Sequence, residues 1–235
     1  MQNFIDSTVA EIVADNYKYA EIFKKYHIDF CCKGNIPLKD ACDKQSISPD
    51  LVIKDLEEVT ERPSDYPDYS EWNTVKLIEY IVNVHHTYVK ETIPLLIEFS
   101  WKVARVHGHS HPETITIHKL VKKLADDLIT HLYKEEQIIF PSMLYRHNLL
   151  QSIWDSKPSE EVKYTDPLEV MHEEHETAGE IIQSISELSN GYQPPEDACA
   201  TFKVLYQKLE EFEKDLNTHI HLENNVLFPK FFNGN

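Results

Sequence analysis

Apolar positions in the second part of the chain recur at steps of three and four, the period of a helix with one buried face. Four long runs obey it. The first carries Ile78, Ile81, His85, Tyr88/Val89, Thr92 and Leu96. The second carries Ile117, Leu120/Val121, Leu124, Leu128, His131, Glu135 and Ile138. The third opens at Asp166-Pro167 and carries Leu168, Met171, His175, Ala178/Gly179, Ile182 and Ile185. The fourth carries Leu205, Leu209, Phe212, Leu216, His219, Glu223 and Val226. Connectors around 106–112 and 190–195, with a longer crossing near 145–158, would join the runs into a four-helix bundle.

Upstream, residues 61–70 hold two prolines and three acidic residues without an apolar period, which reads as a linker over 61–72. Residues 1–60 read as a small domain of short helices. Thr8 and Glu11 fit a capping box, and Ser48-Pro49 fits an N-cap followed by proline at the first helical position. Its expected core includes Phe4, Ile12, Ile22, Phe23, Leu51 and Leu56. The fold class is therefore all-α: a helical domain over 1–60, a linker, and a bundle over 73–235.

One phrase occurs twice in the bundle. His131, Glu135, Phe140 and Pro141 are matched by His219, Glu223, Phe228 and Pro229, each 88 positions on (219 − 131, 223 − 135). Runs one and three correspond with a similar offset, 90 (175 − 85). The bundle thus reads as a duplicated helical hairpin, each copy offering one His from its first helix and a His-x3-Glu from its second. A His and a Glu four apart share a helix face, close enough to hold one metal centre. The candidate ligands are His85, His131, Glu135, His175, His219 and Glu223, all on apolar stripes where a carboxylate is costly unless coordinated or paired. Imidazole and carboxylate donors without thiolate suit iron, with manganese the minor alternative. If both Glu bridge, four His and two Glu leave coordination positions open, so that the site could bind a small ligand or release a metal.

Neighbouring residues sort differently. His86 lies about 100° round the helix from His85 and is expected in solvent. His172 sits at the stripe edge and is the stand-in for His175. His107, His109 and His111 alternate in a connector and are expected to be solvated. His221 must point away from His219. Glu173 and Glu174 read as surface charges, with a proton-relay or supporting role for Glu174 as the sharper reading.

Composition narrows the functions. A formal charge of −17 argues against a nucleic-acid backbone or an anionic membrane as partner. No window approaches the roughly 18 apolar residues of a membrane-spanning helix, and residues 1–6 lack the basic start of a signal peptide. Four cysteines, of which Cys31 and Cys32 are adjacent, do not form a secreted disulfide framework, so a cytoplasmic location is expected. The adjacent pair reads either as two thiols at a helix end closed by Gly34 or as a redox or metal-transfer site. Cys42 and Cys199 read as small core residues.

The chain resembles the iron–sulfur cluster repair di-iron proteins over essentially its whole length. The resemblance rests on Phe30-Cys31-Cys32-Lys33-Gly34, His85, the phrase from His131 to Pro141, Glu174-His175 with Ala178-Gly179, and the phrase from His219 to Pro229. It implies a hemerythrin-like bundle with a non-haem di-iron centre at the four His and two Glu, two ions bridged by oxo or hydroxo. It also implies repair of clusters damaged by nitric oxide or oxidants, with apo or damaged iron–sulfur proteins as partners. Lys33 departs from the family's Cys-Cys-Gly-Gly, which questions a close backbone approach at that position. The leading reading is iron donation assisted by Cys31 and Cys32. The competing classes are a di-iron nitric oxide or peroxide reductase and a small-ligand sensor. A homodimer is compatible with the sequence.

Overall fold

A computed structural model describes residues 4–60, 67–146 and 165–233. Residues 61–66 of the expected linker, 147–158 of the expected crossing, and the side chains of Asp166, Pro167 and Leu168 lie outside the described residues. The regular elements among the described residues are all helices, with an isolated bridge pairing Thr8 with Pro37. The helices are α1 (Val9–Asp15), α2 (Tyr19–Lys25), α3 (Leu38–Gln45), α4 (Pro49–Thr60), α5 (Thr74–Tyr80), α6 (Thr87–His107), α7 (Glu113–Lys134), α8 (Phe140–Arg146), α9 (Thr165–Leu188), α10 (Ala200–His221) and α11 (Phe228–Asn233).

The chain divides into two compact units, Met1–Leu77 with Thr218–Asn235, and Ile78–Asn217. The bundle range expected from sequence, 73–235, spans both.

In the first unit the capping box forms as its residues dictate. Thr8 Oγ1 accepts from the Glu11 amide at 3.1 Å, and the Thr8 amide donates to Glu11 Oε2 at 2.9 Å. Helix α2 packs on α4, and Lys25 and Tyr26 both donate to Asp55, at 2.5 and 2.7 Å. Phe4, Ile12, Ile22, Phe23 and Leu56 are buried as expected. Leu51 is not; it is 56% exposed, while Val52 is fully buried. The inward face of α4 repeats at 52, 56 and 59, and Leu51 falls one step off it. Each fully buried Phe or Leu of this core contributes about 1.5–3 kcal/mol relative to exposure.

In the second unit α7 packs against α6 on one side and α9 on the other. Buried positions follow the expected stripes: Ile78, Ile81, Val89, Thr92 and Leu96; Ile117, Val121, Leu124 and Leu128; Met171, Ala178, Ile182 and Ile185; Leu205, Leu209, Phe212 and Leu216. π-Helical turns interrupt the long helices at Ile81–His86, Glu135–Ile139 and Leu222–Leu227, and the departure from the expected stripe falls in the second of them. A π-turn bonds i to i+5 and takes in an extra residue, so the face beyond it is displaced by about one position. Ile138, expected inside, is 42% exposed, and Ile139 is buried in its place.

Candidate metal centre

Each π-turn contains a metal-ligand candidate, namely His85, Glu135 and Glu223. Helix α7 ends just beyond His131, and Glu135 is the first residue of the turn that follows. His131 Nε2 lies 3.2 Å from Glu135 Oε1 and 2.9 Å from His175 Nε2, which arrives from the middle of α9. One donor atom from each of the three lies within 4.8 Å of the others. The turn at Ile81–His86 delivers His86, whose Nε2 is 3.3 Å from Glu135 Oε2. Glu135 and His86 are completely buried, and His131 and His175 nearly so. Two donors held cis on one octahedral ion at ~2.1 Å lie ~3 Å apart, so these separations suit a shared ion. A buried carboxylate facing several imidazole nitrogens is also an arrangement of donors that a cation would satisfy.

The outer nitrogens of these rings meet carboxylates. His131 Nδ1 is 2.9 Å from Glu174 Oε2, and Lys134 also binds Glu174. His86 Nδ1 is 2.8 Å from Glu136 Oε1, and Lys90 binds the same atom at 2.6 Å. A carboxylate can only accept, so each Nδ1 carries a proton, and Nε2 is the nitrogen each ring turns inward as the donor an ion would take. This is the tautomer a metal-binding histidine needs, and the carboxylate raises the basicity of the ring. The hydrogen bond from His86, then that from Lys90, holds Glu136 below the usual carboxylate range; His131 and then Lys134 do the same for Glu174.

In the other unit, His219 Nε2 lies 3.0 Å from Glu223 Oε1, both side chains being buried, so the second copy of the phrase repeats the geometry of the first. The residues after the Glu differ between the copies, and each pair has its own task. Glu136 supports His86. Asn224 instead donates to the Cys31 carbonyl and Asn225 to the Phe30 carbonyl, both at 3.1 Å. His221 is buried against Tyr17 and Phe30, with Nδ1 3.0 Å from Asn225 Nδ2, and burial pushes its pKa down to about 3. The Cys31 and Cys32 sulfurs are 3.5 Å apart as free thiols. Asp29 Oδ1 accepts from the Cys31 and Cys32 amides at 3.0 and 2.9 Å and fixes their turn. Its carboxylate and the two sulfurs offer donor atoms within 4.8 Å of one another.

Comparison with known proteins follows these two site regions. Residues 77–231 match the family described as the hemerythrin HHE cation binding domain. Residues 5–60 match a domain described as of unknown function. The iron-sulfur cluster repair protein ScdA of Staphylococcus haemolyticus is 32% identical over 227 residues, covering 96% of this chain and 98% of the relative. The chain belongs to the iron–sulfur cluster repair protein family. The repair protein YtfE of Pectobacterium atrosepticum is 34% identical over 232 residues, with 97% and 98% covered. The probable repair protein of Haemophilus influenzae is 31% identical over 234 residues, with 98% and 99% covered. The bundle of this repair-family chain is thus a cation-binding domain of hemerythrin type, and among the described residues no helix is long and apolar enough to cross a membrane.

Against that family pattern, several sequence expectations change. His86 is not solvated: it stacks on Phe140 at 5.8 Å and faces Glu135. The donor atoms gathered around Glu135 in this unit come from His86, His131 and His175, whereas His85 turns its Nδ1 to Asp215 at 2.9 Å. The π-turn is the cause, since its wider pitch rotates His86 into the place an ideal helix reserves for His85. Glu174 is no mere surface charge, because it holds His131, while Glu173 is exposed. His172 is partly buried, and burial lowers its pKa. Lys33 is exposed, and the close approach falls at Gly34, where an added Cβ would lie 2.6 Å from the Phe30 carbonyl oxygen. Cys42 is buried as expected; Cys199 is exposed.

Proposed function

We propose that the protein restores iron–sulfur clusters damaged by nitrosative or oxidative stress, and that it supplies iron from a non-haem di-iron centre. The observation that carries this reading is Glu135, fully buried and facing the inward nitrogens of His86 and His131. The proposed ligands are His86, His131, Glu135, His175, His219 and Glu223. For the last two the support is the repeat itself, with the same spacing and the same His–Glu geometry beside a π-turn. When bound, two oxo- or hydroxo-bridged iron ions would supply labile iron and open positions for nitric oxide or an oxygen species.

The chain's own residues perform the rest. Glu136 and Glu174 hold the protons at Nδ1 of His86 and His131, so that Nε2 remains the donor. Lys90 and Lys134 balance the charge of those carboxylates. Phe140, Ile139 and Leu132 are buried along the same segment and keep water from it. Cys31 and Cys32 form a thiol pair of which Cys32 is partly exposed, a suitable hand-over point for iron or electrons. The partners in this reading are apo or damaged iron–sulfur proteins, the role carried in the names of the relatives. The free thiols agree with a reducing cytoplasm.

The test is reconstitution. Iron-loaded protein is mixed with an apo cluster protein, cysteine and a desulfurase, and cluster absorbance is followed. The expected result is cluster formation that slows when Cys31 and Cys32 are both changed to Ser. Failure to form cluster while nitric oxide is consumed catalytically would instead establish a reductase.

A further inference from the structure

Residues 218–225 carry two sets of side chains on two helical faces. His219 and Glu223, four apart, share one face; Thr218, His221 and Asn225, at steps of three and four, share another. The second face grips the segment that holds the thiols. Thr218 Oγ1 is 2.6 Å from the Tyr17 hydroxyl, and the His221 ring packs on Tyr17 and Phe30. Asn225 Nδ2 donates to the Phe30 carbonyl and to His221 Nδ1, at 3.1 and 3.0 Å. Asn224, beside Glu223 in the chain, is buried and donates to the Cys31 carbonyl. We propose, on the reading of Glu223 as an iron ligand, that Asn224 and Asn225 are positioning residues that tie the turn of Cys31 and Cys32 to the segment carrying Glu223, so that iron binding and opening of the thiol turn oppose each other.

The repeated phrase supplies an internal comparison. Shifted back by 88 positions (219 − 131), Thr218, His221 and Asn225 become Thr130, Tyr133 and Gln137. Those three are exposed, Tyr133 by 65%, although His131 and Glu135 meet much as His219 and Glu223 do. The His–Glu geometry therefore does not require the neighbouring face to be engaged. Engagement of that face is a feature of the second copy, where its partner is the segment of the thiols.

The thiol turn is held from two sides. Asp29 fixes the amides of Cys31 and Cys32, and the two Asn fix the carbonyls of Phe30 and Cys31. The carbonyl side is tied to residues of the same π-turn, Leu222–Leu227, as Glu223. Glu223, Asn224 and Asn225 are consecutive, so a rotation of that turn moves the carboxylate and both amides together. An ion on Glu223 fixes the rotation, and with it the bonds to the thiol turn. Linkage is reciprocal, so breaking those bonds also weakens the hold on the ion. Iron leaving Glu223 would thus loosen Cys31, which is buried, at the moment a thiol acceptor is needed.

The test follows iodoacetamide labelling of Cys31, resolved from Cys32 by mass mapping, on iron-loaded and chelator-stripped full-length protein without oxygen at one fixed pH. Labelling of a buried thiol reports opening of its turn. Wild type should label at Cys31 about five-fold or more slower when loaded. Asn224→Leu combined with Asn225→Leu keeps side-chain size without the donors. That variant should label fast in both states and lose iron to a chelator about five-fold or more sooner. Asn225→Leu alone, at a partly exposed position, should move both readings in the same direction and serves if the double variant melts early. Tyr133→Ala, on the matching face of the first copy, should move neither. Iron-dependent labelling that survives in the Asn variants would mean that iron shields the thiols directly and would overturn the proposal. So would a wild type whose Cys31 labelling ignores iron. Glu223→Ala separates the two readings: retention of its iron would defeat the ligand assignment, whereas loss of its iron beside an iron-blind wild-type Cys31 would defeat the coupling alone.

Discussion

Nε2 of His86 lies 3.3 Å from Oε2 of Glu135, and neither side chain has any solvent exposure. Adjacent histidines on an ideal helix cannot both face one interior. Here the π-turn at Ile81–His86 gives them separate roles, His86 towards Glu135 and His85 towards Asp215. The local widening of one helical turn therefore selects the donor, and it does so at a site whose neighbours, Glu136 and Lys90, are already arranged to hold the ring.

The first prediction follows directly. His86→Ala should lower iron affinity by about 100-fold or more, beyond the range of a supporting residue, while His85→Ala should stay within about ten-fold. Iron per chain after dialysis against a graded chelator measures both. Equal retention by the two variants would return the ligand role to His85.

Glu174→Gln tests the support of His131. The amide keeps the shape but no longer demands the Nδ1 proton, so iron should leave the variant about 10–100-fold more readily. Release to a coloured ferrous chelator follows the rate, and Glu173→Gln is the control expected to match wild type.

The thiol pair should be unequal. Its hydrogen bond to Cys32, and then burial, push the Cys31 thiol well above its ordinary pKa, so Cys31 keeps its proton at neutral pH. Iodoacetamide should modify Cys32 first, with Cys31 reacting faster only as pH climbs past the usual thiol range. The sign for stability is the same: the unfolded thiol loses its proton at about pH 8.5 while the folded one does not. The contribution of Cys31 is therefore complete below that pH and declines above it. Mass mapping of the labelled cysteines between pH 7 and pH 10, as an approximate span around that value, checks the order.

Gly34 and Lys33 should respond in opposite ways. Gly34→Ala forces a Cβ against the Phe30 carbonyl and the Ala10 amide and should cost about 1–3 kcal/mol. Lys33→Gly removes an exposed side chain and should change stability by less than about 1 kcal/mol. Denaturant unfolding followed by circular dichroism resolves the two.

Much of this was legible in the chain. The three-and-four periodicity located the bundle helices because one buried face must repeat at the helical pitch, and the capping box placed the start of α1. The doubled phrase singles out His131, Glu135, His219 and Glu223 because a His and a Glu four apart share a helix face, and both pairs meet as that spacing requires. What failed is equally physical. The facial assignment of His86 and Ile138 assumed an unbroken α-helix, and a π-turn leaves no mark in hydrophobic spacing. Leu51 was misplaced because a helix's first turn offers too few positions to fix its phase. The pairing of His107 with Cys199 and of His111 with Asp197 joins two connectors about 90 positions apart (197 − 107), a tertiary contact that no local pattern announces.

The most direct test of the central claim is the iron content and magnetic coupling of purified protein, compared with Glu135→Ala. About two iron ions per chain are expected in the wild type, antiferromagnetically coupled by Mössbauer spectroscopy, with loss of both the coupling and most of the iron when the Glu135 carboxylate is removed. A single uncoupled ion per chain, or a coupled pair that persists in Glu135→Ala, would contradict the claim.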